Sequence, residues 1–210
     1  MKVYNNDVST MINGLIRSSN VIDQKVITVF ENILRNDFVP DKYKKFSSTD
    51  YPIPIKHNQK MLLPSIEGKI LQNLSLKGNE NVLVVGAGTG YLTCCLSKLC
   101  NQVHSIDIFG DLIEKAENNI SNYSEISNIT FEKLDIKTKW DILESYDVIV
   151  FTSYIENEKI LSENLGNNSK VFLFVGSADN PVKEGILIEK FKNDSLIKNI
   201  LFETDADPLI

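Results

Sequence analysis

The sequence predicts an α/β fold from three observations. Short apolar runs alternate with helical patterns between residues 81 and 175, a glycine-rich turn ends the first run, and two strand-like segments joined by a polar turn follow residue 185. Alternating strands and helices favour a parallel sheet, because each helix returns the chain across one face. The final hairpin must be antiparallel. We therefore predict a Rossmann-like, mostly parallel seven-stranded sheet with helices on both faces and a C-terminal antiparallel hairpin.

Helical spacing dominates the first third of the chain. Apolar residues between positions 7 and 35 predict two amphipathic helices, and Pro64 suits the first turn of another helix that continues to Leu74. The intervening stretch, residues 36–60, contains three of the six prolines and several aromatic residues. It is too broken for a long helix, so we expect a packed, irregular arm.

The predicted strands follow from apolar runs. Asn81–Val85 has no polar alternation, which is typical of a strand buried on both faces. A helix should follow the glycine turn that ends this strand. The remaining strands are expected at residues 103–108, 129–134, 147–151, 170–175, 186–191 and 197–204, with further helices at 111–120 and 156–165.

Composition bounds the organisation and the partners. With 210 residues and 42% hydrophobic content, the chain is expected to form one domain, in which residues 1–76 supply N-terminal helices and the arm and residues 77–210 supply the sheet. The net charge of −6 argues against a nucleic-acid partner, because a phosphate backbone needs a basic surface. No segment approaches eighteen consecutive apolar residues, so we expect no membrane span and a cytoplasmic location.

Three cysteines, Cys94, Cys95 and Cys100, fall within the helix predicted after the glycine turn. They lack the paired spacing and the histidine partners of a zinc site. We expect buried, reduced thiols and no metal.

The turn Gly86-Ala87-Gly88-Thr89-Gly90 separates a buried strand from a helix. Glycine is needed where a Cβ would block close approach of the backbone to a ligand, and the N–H groups at the start of the helix favour polar or anionic groups. Asp107 ends the next strand, 21 residues beyond Gly86, where a carboxylate can accept hydrogen bonds from both ribose hydroxyls. Together these residues predict an adenosine-type site; the alternative is a plain turn followed by a loop acid.

The glycine spacing distinguishes two cofactors. A dinucleotide fingerprint places its third glycine at position 91, for close packing of the helix on the strand, but this position is Tyr91. The G-x-G-x-G spacing therefore favours S-adenosylmethionine over NAD. An NAD-dependent oxidoreductase is further disfavoured because Tyr154 and Lys159 miss the Tyr-x-x-x-Lys spacing of a hydride-transfer site by one residue.

Residues after the second and third of the parallel strands complete the candidate pocket. Asp135 can accept a hydrogen bond from the adenine amino group if the sheet order brings it beside the glycine turn; otherwise it is a surface acid. Ile108 and Ile136 are candidate apolar walls for the adenine ring, or plain core residues. His57 in the arm is a candidate substrate contact, but a hydrogen-bonded loop residue is the simpler interpretation.

Four segments of the sequence resemble the protein-L-isoaspartate O-methyltransferase family. The segment KGNENVLVVGAGTGYLTCCLSKLCNQVHSIDI is similar to that family's cofactor motif, from first strand to ribose acid. The resemblance extends over nearly the whole chain through the arm FVPDKYKKFSSTDYPIPIKHNQ, the strand and helix YDVIVFTSYIENEKILSENL, and the ending ILFETDADPLI, which is similar to that of a bacterial branch.

The resemblance implies a class I methyltransferase fold with S-adenosylmethionine as cofactor. It implies methyl transfer to the carboxylate of a damaged aspartyl or asparaginyl site in a protein or peptide substrate. It carries Gly86, Gly88, Asp107 and Asp135 over as cofactor contacts. An isoaspartyl carboxylate is already ionised at neutral pH, so no general base is required and no catalytic residue is assigned.

The sequence departs from the family at three positions. The family's Thr-Ile-Ser-Gln-Pro stretch, whose serine lies at the active site, aligns with residues 60–64, so Leu62 replaces the serine and Leu63 the glutamine. The acid late in the family's first strand aligns with Val84. These departures keep two alternatives open: a methyltransferase for a less polar acceptor, including a small molecule, and a non-catalytic module that binds S-adenosylmethionine.

Overall fold

The computed structural model describes residues 6–210 of the chain. Its strands form one seven-stranded sheet: β1 (Asn81–Val85), β2 (Gln102–Asp107), β3 (Ile129–Lys133), β4 (Val148–Ile155), β5 (Lys170–Val175), β6 (Lys183–Lys190) and β7 (Leu196–Thr204). The spatial order is β3-β2-β1-β4-β5-β6-β7. Neighbouring strands are parallel from β3 to β5, and β6 and β7 are antiparallel to their neighbours. The predicted fold class is confirmed.

β1 lies inside the parallel part of the sheet. Val84 of β1 pairs with Ser105 of β2 on one side and with Val150 of β4 on the other. From β1 the chain moves outward to β2 and β3, and it then returns to the opposite side of β1 as β4. In such a sheet, ligands bind beyond the carboxyl ends of the strands, at the point where the direction of winding reverses.

Helices cover both faces of the sheet: α1 (Asn6–Met11), α2 (Gln24–Asn32), α3 (Pro64–Leu74), α4 (Tyr91–Ser97), α5 (Gly110–Ile120) and α6 (Lys159–Asn164). Successive side chains of a strand point to opposite faces. Val82 and Val84 join a core with residues of α1 to α4, whereas Leu83 and Val85 join a second core with Leu161 of α6. None of the helices within residues 6–210 combines the length and the apolar character that a membrane span requires.

The N-terminal third has the predicted character. α1 continues into a π-turn at Ile12–Ile16, α2 follows, and α3 begins at Pro64 as expected. The arm contains two short 3-10 helices, Arg35–Asp37 and Asp41–Phe46, and an antiparallel bridge between Pro54 and Lys60. This bridge turns the arm back on itself, and residues on both sides of it lie beside the ends of the central strands.

Two strand boundaries differ from the sequence prediction by more than one residue. β4 continues to Ile155 rather than residue 151, because the polar residues Thr152 and Ser153 interrupt the apolar run but remain in the strand. β6 begins at Lys183, three residues before its predicted start, where the lysine is only 3% exposed. In both cases a polar residue within a buried strand conceals the strand from a hydrophobicity pattern.

Cys100 lies outside the helix in which the sequence prediction placed it. α4 ends at Ser97 because 3-10 hydrogen bonds tighten and close its last turn. All three cysteines are buried and free, and burial raises the pKa of Cys94 and of Cys100 to about 12, which suppresses the reactive thiolate. In the part of the chain that the structure describes, no three metal-ligating side chains form a cluster.

Candidate active site

A cavity of about 240 Å³ lies beyond the carboxyl ends of the central strands. Its walls come from the glycine turn after β1, the residues after β2 and β3, the end of β4, the arm, and the C-terminal tail. The sheet order brings these parts together, because β2 lies between β1 and β3. Six residues that the sequence selected for the cofactor line this one cavity: Gly86, Gly88, Asp107, Ile108, Asp135 and Ile136.

The glycine turn needs backbone conformations that other residues rarely adopt. Gly86 has a φ of +97° and Gly90 a φ of +87°. A Cβ at Gly86 would overlap the hydroxyl of Thr152, and a Cβ at Gly90 would lie 3.0 Å from the Cβ of Ala116 in α5. Glycine at these two positions therefore lets the turn pass closely between β4 and α5.

Ala87 differs from the other residues that the sequence selected for the cofactor. It is absent from the cavity lining within the described chain. Its amide donates to the carbonyl of Ile106 at 3.1 Å, so this residue attaches the glycine turn to β2.

Asp107 is the buried acid of the cavity, with 7% of its surface exposed. One carboxylate oxygen accepts the amide of Gly88 at 3.1 Å, and the other accepts the amide of Phe109 at 3.0 Å. Burial raises the pKa of Asp107 above its ordinary value, and the backbone amides oppose that shift. Because a carboxylate has about four acceptor sites, each oxygen has capacity for a further donor.

Asp135 and Ile136 come from the turn after β3. The carboxylate of Asp135 caps a 3-10 helix, Ile136–Thr138, by accepting a backbone amide at 2.9 Å. Ile136 is buried and Ile108 is half-buried, and both line the cavity with Leu134. An acid beside apolar walls suits a largely apolar ring with a polar edge.

The arm supplies a second apolar side of the cavity. Met61, Leu62 and Leu63 all line it just before α3 begins. Leu62 therefore lies in the cavity at the position where the resemblance implies a serine. Its backbone is held from behind, because the Arg35 guanidinium donates to the Leu62 carbonyl at 2.7 Å.

Arg35 is itself held by a buried acid. Its Nε donates to Glu67 Oε2 at 3.2 Å, and its Nη1 donates to the Ser47 carbonyl at 3.1 Å. The two charged side chains are 2% and 3% exposed. Burial raises the pKa of Glu67 to about 7, and the attraction of Arg35 opposes that shift. This ion pair joins the arm, α3 and the segment at Leu62 into one packed unit.

His57 packs the arm on α5 and is not among the described residues that line the cavity. Its ring stacks on Phe109 with the centroids 3.8 Å apart, and its Nε2 lies 2.8 Å from Asp111. Lys56 Nζ lies 2.9 Å from the same carboxylate, and these two partners lower the pKa of Asp111 to about 2. The geometry agrees with the interpretation of His57 as a hydrogen-bonded loop residue.

Val84 lies apart from the cavity. It is fully buried between β2 and β4 and belongs to the core on the α3 face of the sheet. β1 instead contributes Val85 to the cavity lining. The departure at Val84 therefore acts through the core that supports the turn.

The C-terminal tail is a part of the cavity that sequence reasoning missed. Residues 205–210 line it, and the tail pairs with Tyr154 at the end of β4 through amide hydrogen bonds of 2.8 and 2.9 Å. Lys60 of the arm joins the tail, since its Nζ lies 2.8 Å from Asp205 and 3.1 Å from Asp207. The short apolar ending after Asp207 was the one available signal that the tail packs on the fold.

Comparison with known proteins decides the family. The chain matches the family model described as Protein-L-isoaspartate(D-aspartate) O-methyltransferase (PCMT) over residues 6–204. The chain belongs to this family. Members of the protein-L-isoaspartate O-methyltransferase family use S-adenosylmethionine, the cofactor that the glycine spacing favours.

Individual relatives carry the same family name. The protein-L-isoaspartate O-methyltransferase of Myxococcus xanthus is 32% identical over 128 residues, which cover 61% of this chain and 60% of that protein. The protein of the same name from Dictyoglomus turgidum is 28% identical over 166 residues, which cover 79% of this chain and 75% of the relative. The matched region thus spans less than two thirds of the Myxococcus protein. It spans three quarters of the Dictyoglomus protein.

A solved structure shares the whole fold. A crystal structure described as a protein-L-isoaspartate O-methyltransferase from Plasmodium falciparum, in complex with S-adenosyl-L-homocysteine, superimposes with a TM-score of 0.78. The match covers 98% of this chain and 99% of that chain, at 22% sequence identity. The fold of this family is therefore present over the full length of the described chain.

Proposed function

We propose that the chain is an S-adenosylmethionine-dependent protein-L-isoaspartate O-methyltransferase, which methylates the carboxylate of damaged aspartyl sites in cytoplasmic proteins or peptides. The observation that carries this proposal is Asp107. It is a buried carboxylate beside the glycine turn, anchored through both oxygens on backbone amides, at the cavity of a chain from this family.

The lining residues fit the proposed cofactor. Asp107 can accept hydrogen bonds from the two ribose hydroxyls, because each oxygen has acceptor capacity beyond one amide. Asp135 can accept a hydrogen bond from the adenine amino group, and Ala87 attaches the glycine turn to β2. Ile108 and Ile136 form apolar walls of the cavity, and Gly86 and Gly88 form the part of its lining that has no side chains.

The chemistry requires positioning more than proton transfer. When bound, S-adenosylmethionine supplies an electrophilic methyl group, and an oxygen–carbon bond to the acceptor forms as the carbon–sulfur bond breaks. The acceptor carboxylate has a reference pKa of about 4, so the protein need not remove a proton at neutral pH. The protein therefore acts by holding the acceptor in line and by excluding water. Leu62, whose carbonyl accepts a hydrogen bond from Arg35, and the C-terminal tail both line the cavity.

The end of β4 offers few donors to an acceptor carboxylate. Thr152 Oγ1 donates to the backbone carbonyls of the turn, at 3.2 Å to Val85 and 3.0 Å to Gly86. Its proton is thus committed to the turn, and the hydroxyl can present only lone pairs to the cavity. Ser153, which is 8% exposed, is the neutral donor that remains there.

One observation favours a second candidate function. Met61, Leu62 and Leu63 line the cavity with side chains that cannot donate a hydrogen bond to a carboxylate. They would suit a less polar acceptor. Turnover of an apolar acceptor without turnover of an isoaspartyl peptide would select this candidate, and cofactor binding without any transfer would select a non-catalytic module.

Calorimetric titration with S-adenosylhomocysteine tests the cofactor site. We expect the wild type to bind and Asp107→Asn to bind about ten- to a hundredfold more weakly, because a hydrogen bond to a charged group contributes roughly 1.5–3 kcal/mol. Asp141→Asn removes the same charge from an exposed 3-10 helix outside the cavity lining and should bind like the wild type. Equal affinities in the two variants would contradict this placement of the cofactor.

A further inference from the structure

We infer that Lys60 recognises the acceptor carboxylate, and that Asp205 pairs with its ammonium group until the substrate replaces it. This inference rests on the proposed function, because it concerns the acceptor end of the same cavity. Among the described residues that line the cavity, Lys60 is the only one with a positively charged side chain. The acceptor of the proposed reaction is a carboxylate, which needs a donor or a cation once it leaves water.

Lys60 has two carboxylate partners at the cavity. Its Nζ lies 2.8 Å from Asp205 Oδ2 and 3.1 Å from Asp207 Oδ1, and all three residues line the cavity together with Leu62. Burial alone would lower the pKa of Lys60, but the hydrogen bonds and charges of the two aspartates outweigh it and raise the pKa. Lys60 is therefore protonated at neutral pH and has three N–H donors.

The two aspartates are held very differently. The Asp207 side chain is 17% exposed; its second oxygen accepts the Lys60 amide at 2.8 Å, and its carbonyl accepts the Tyr154 amide at 2.8 Å. The Asp205 side chain is 67% exposed, and its carboxylate contacts Lys60 Nζ. An exposed ion pair contributes little to stability, so Asp205 can leave at small cost while Asp207 stays in place.

The substrate presents the same chemical group as Asp205. An isoaspartyl carboxylate can take its place on Lys60 with one oxygen, which leaves the other oxygen available to attack the methyl group. Such a charge-assisted hydrogen bond is about twice as strong as a neutral one. Lys60 thus supplies a hydrogen-bond donor for the acceptor carboxylate. Leu62 has no side-chain donor, and the Thr152 hydroxyl already donates to the backbone carbonyls of Val85 and Gly86. On this account, Lys60 compensates for the hydrogen-bond donor that is missing at Leu62.

Steady-state kinetics with an isoaspartyl peptide, at saturating S-adenosylmethionine, test the inference. Lys60→Met removes the cation, Lys60→Arg restores it, and Asp205→Asn removes the competing charge. Lys56→Met is the matched control, because Lys56 is a lysine of the same arm that pairs with Asp111 and is absent from the described cavity lining. Calorimetry with S-adenosylhomocysteine verifies that each variant retains its fold and its cofactor site.

We expect Lys60→Met to raise KM about tenfold or more, on the scale of one hydrogen bond to a charged group, with unchanged affinity for S-adenosylhomocysteine. Lys60→Arg should recover part of the loss, Lys56→Met should match the wild type, and Asp205→Asn should lower KM because the competitor is gone. If the ion pair between Lys60 and Asp205 only held the tail in place, Asp205→Asn would raise KM instead of lowering it. An unchanged KM in Lys60→Met, or a raised KM in Asp205→Asn, would overturn the inference.

Failure of the proposed function is distinguishable from failure of this inference. If the wild type does not methylate the peptide, the proposed function fails, and fluorescence anisotropy of a labelled isoaspartyl peptide on the S-adenosylhomocysteine complex then tests Lys60 alone. Binding that is lost in Lys60→Met and stronger in Asp205→Asn supports the inference. Equal binding in wild type and Lys60→Met, or no binding to the wild type, overturns it.

Discussion

At Gly86, both the backbone conformation and the available space exclude a side chain. Its φ is +97°, and a Cβ would overlap the Thr152 hydroxyl that donates to the Gly86 carbonyl. We expect Gly86→Ala to lower the free energy of unfolding by about 1–3 kcal/mol and to weaken binding of S-adenosylhomocysteine. Urea denaturation and calorimetry measure the two effects. Gly14→Ala adds a Cβ at an exposed helical position with no atom within 4 Å, so it should leave ligand binding unchanged and should not lower the free energy of unfolding. Wild-type behaviour of Gly86→Ala would contradict the strain inferred at this turn.

Leu62 determines the polarity of the acceptor side. Leu62→Ser introduces a hydroxyl donor at a half-buried cavity position, so we expect kcat/KM for an isoaspartyl peptide to rise about tenfold. This expected gain is at the lower end of the range for a hydrogen bond to a charged group, because Lys60 already supplies one donor to the carboxylate. Leu63→Ser, which places the same hydroxyl one residue further along the chain, should not reproduce the gain. A fall in kcat/KM for Leu62→Ser would favour the less polar acceptor.

Sequence reasoning found the residues of the local motif and missed those that only the fold brings together. Gly86 follows β1 and Asp107 ends the adjoining strand β2, so their spacing alone predicts a shared site. Lys60 and Asp205 are separated by 145 positions, and nothing in their local sequence marks them as partners. The buried pair of Arg35 and Glu67 likewise has no periodic signal, because its formation depends on how the arm packs against α3.

The ion pair between the arm and α3 should make stability depend on pH. Burial raises the pKa of Glu67 from 4.5 to about 7, despite the attraction of Arg35; Asp50 also faces it and repels its charge. A raised pKa in the folded state favours the protonated carboxyl, so this contribution to stability is complete below about pH 4.5 and is lost as the pH rises through about 7.

Urea denaturation at pH 5 and at pH 8 measures this effect. We expect the free energy of unfolding of the wild type to fall more over this interval than that of Glu67→Gln, by an amount on the order of 3 kcal/mol for a fully buried group. Titration of other groups cancels in the comparison between the two proteins. Parallel pH profiles for wild type and Glu67→Gln would show that Glu67 stays ionised in the folded protein across this range.

The accuracy of the sequence prediction also differs between secondary-structure elements. β1 and β5 have the predicted bounds, because each is an apolar run closed by polar or turn residues. β4 is longer than predicted because Thr152 and Ser153, which line the cavity, interrupt its apolar run with polar side chains. The tail after β7 has no periodicity, and its place beside β4 follows from its pairing with Tyr154. Residues that serve a site thus depart from the patterns that reveal structure.

At the scale of the whole molecule, the sheet order produces the site. The alternation of strands and helices predicts a parallel sheet, but the positions of β3 and β4 on opposite sides of β1 depend on tertiary packing. This order brings the ends of four strands to one cavity, and the arm and the tail close it from two directions. Four aspartates and one lysine line the cavity within the described chain, an arrangement that complements the positive charge of the proposed cofactor.

The proposed activity is methyl transfer to an isoaspartyl carboxylate. Its most direct test is incubation of the wild-type protein with radiolabelled S-adenosylmethionine and an isoaspartyl peptide, beside the same peptide with an ordinary aspartyl residue. We expect base-labile label in the isoaspartyl peptide alone, with one S-adenosylhomocysteine formed for each methyl ester. Absence of label in that peptide, while S-adenosylhomocysteine still binds to the protein, would contradict the claim.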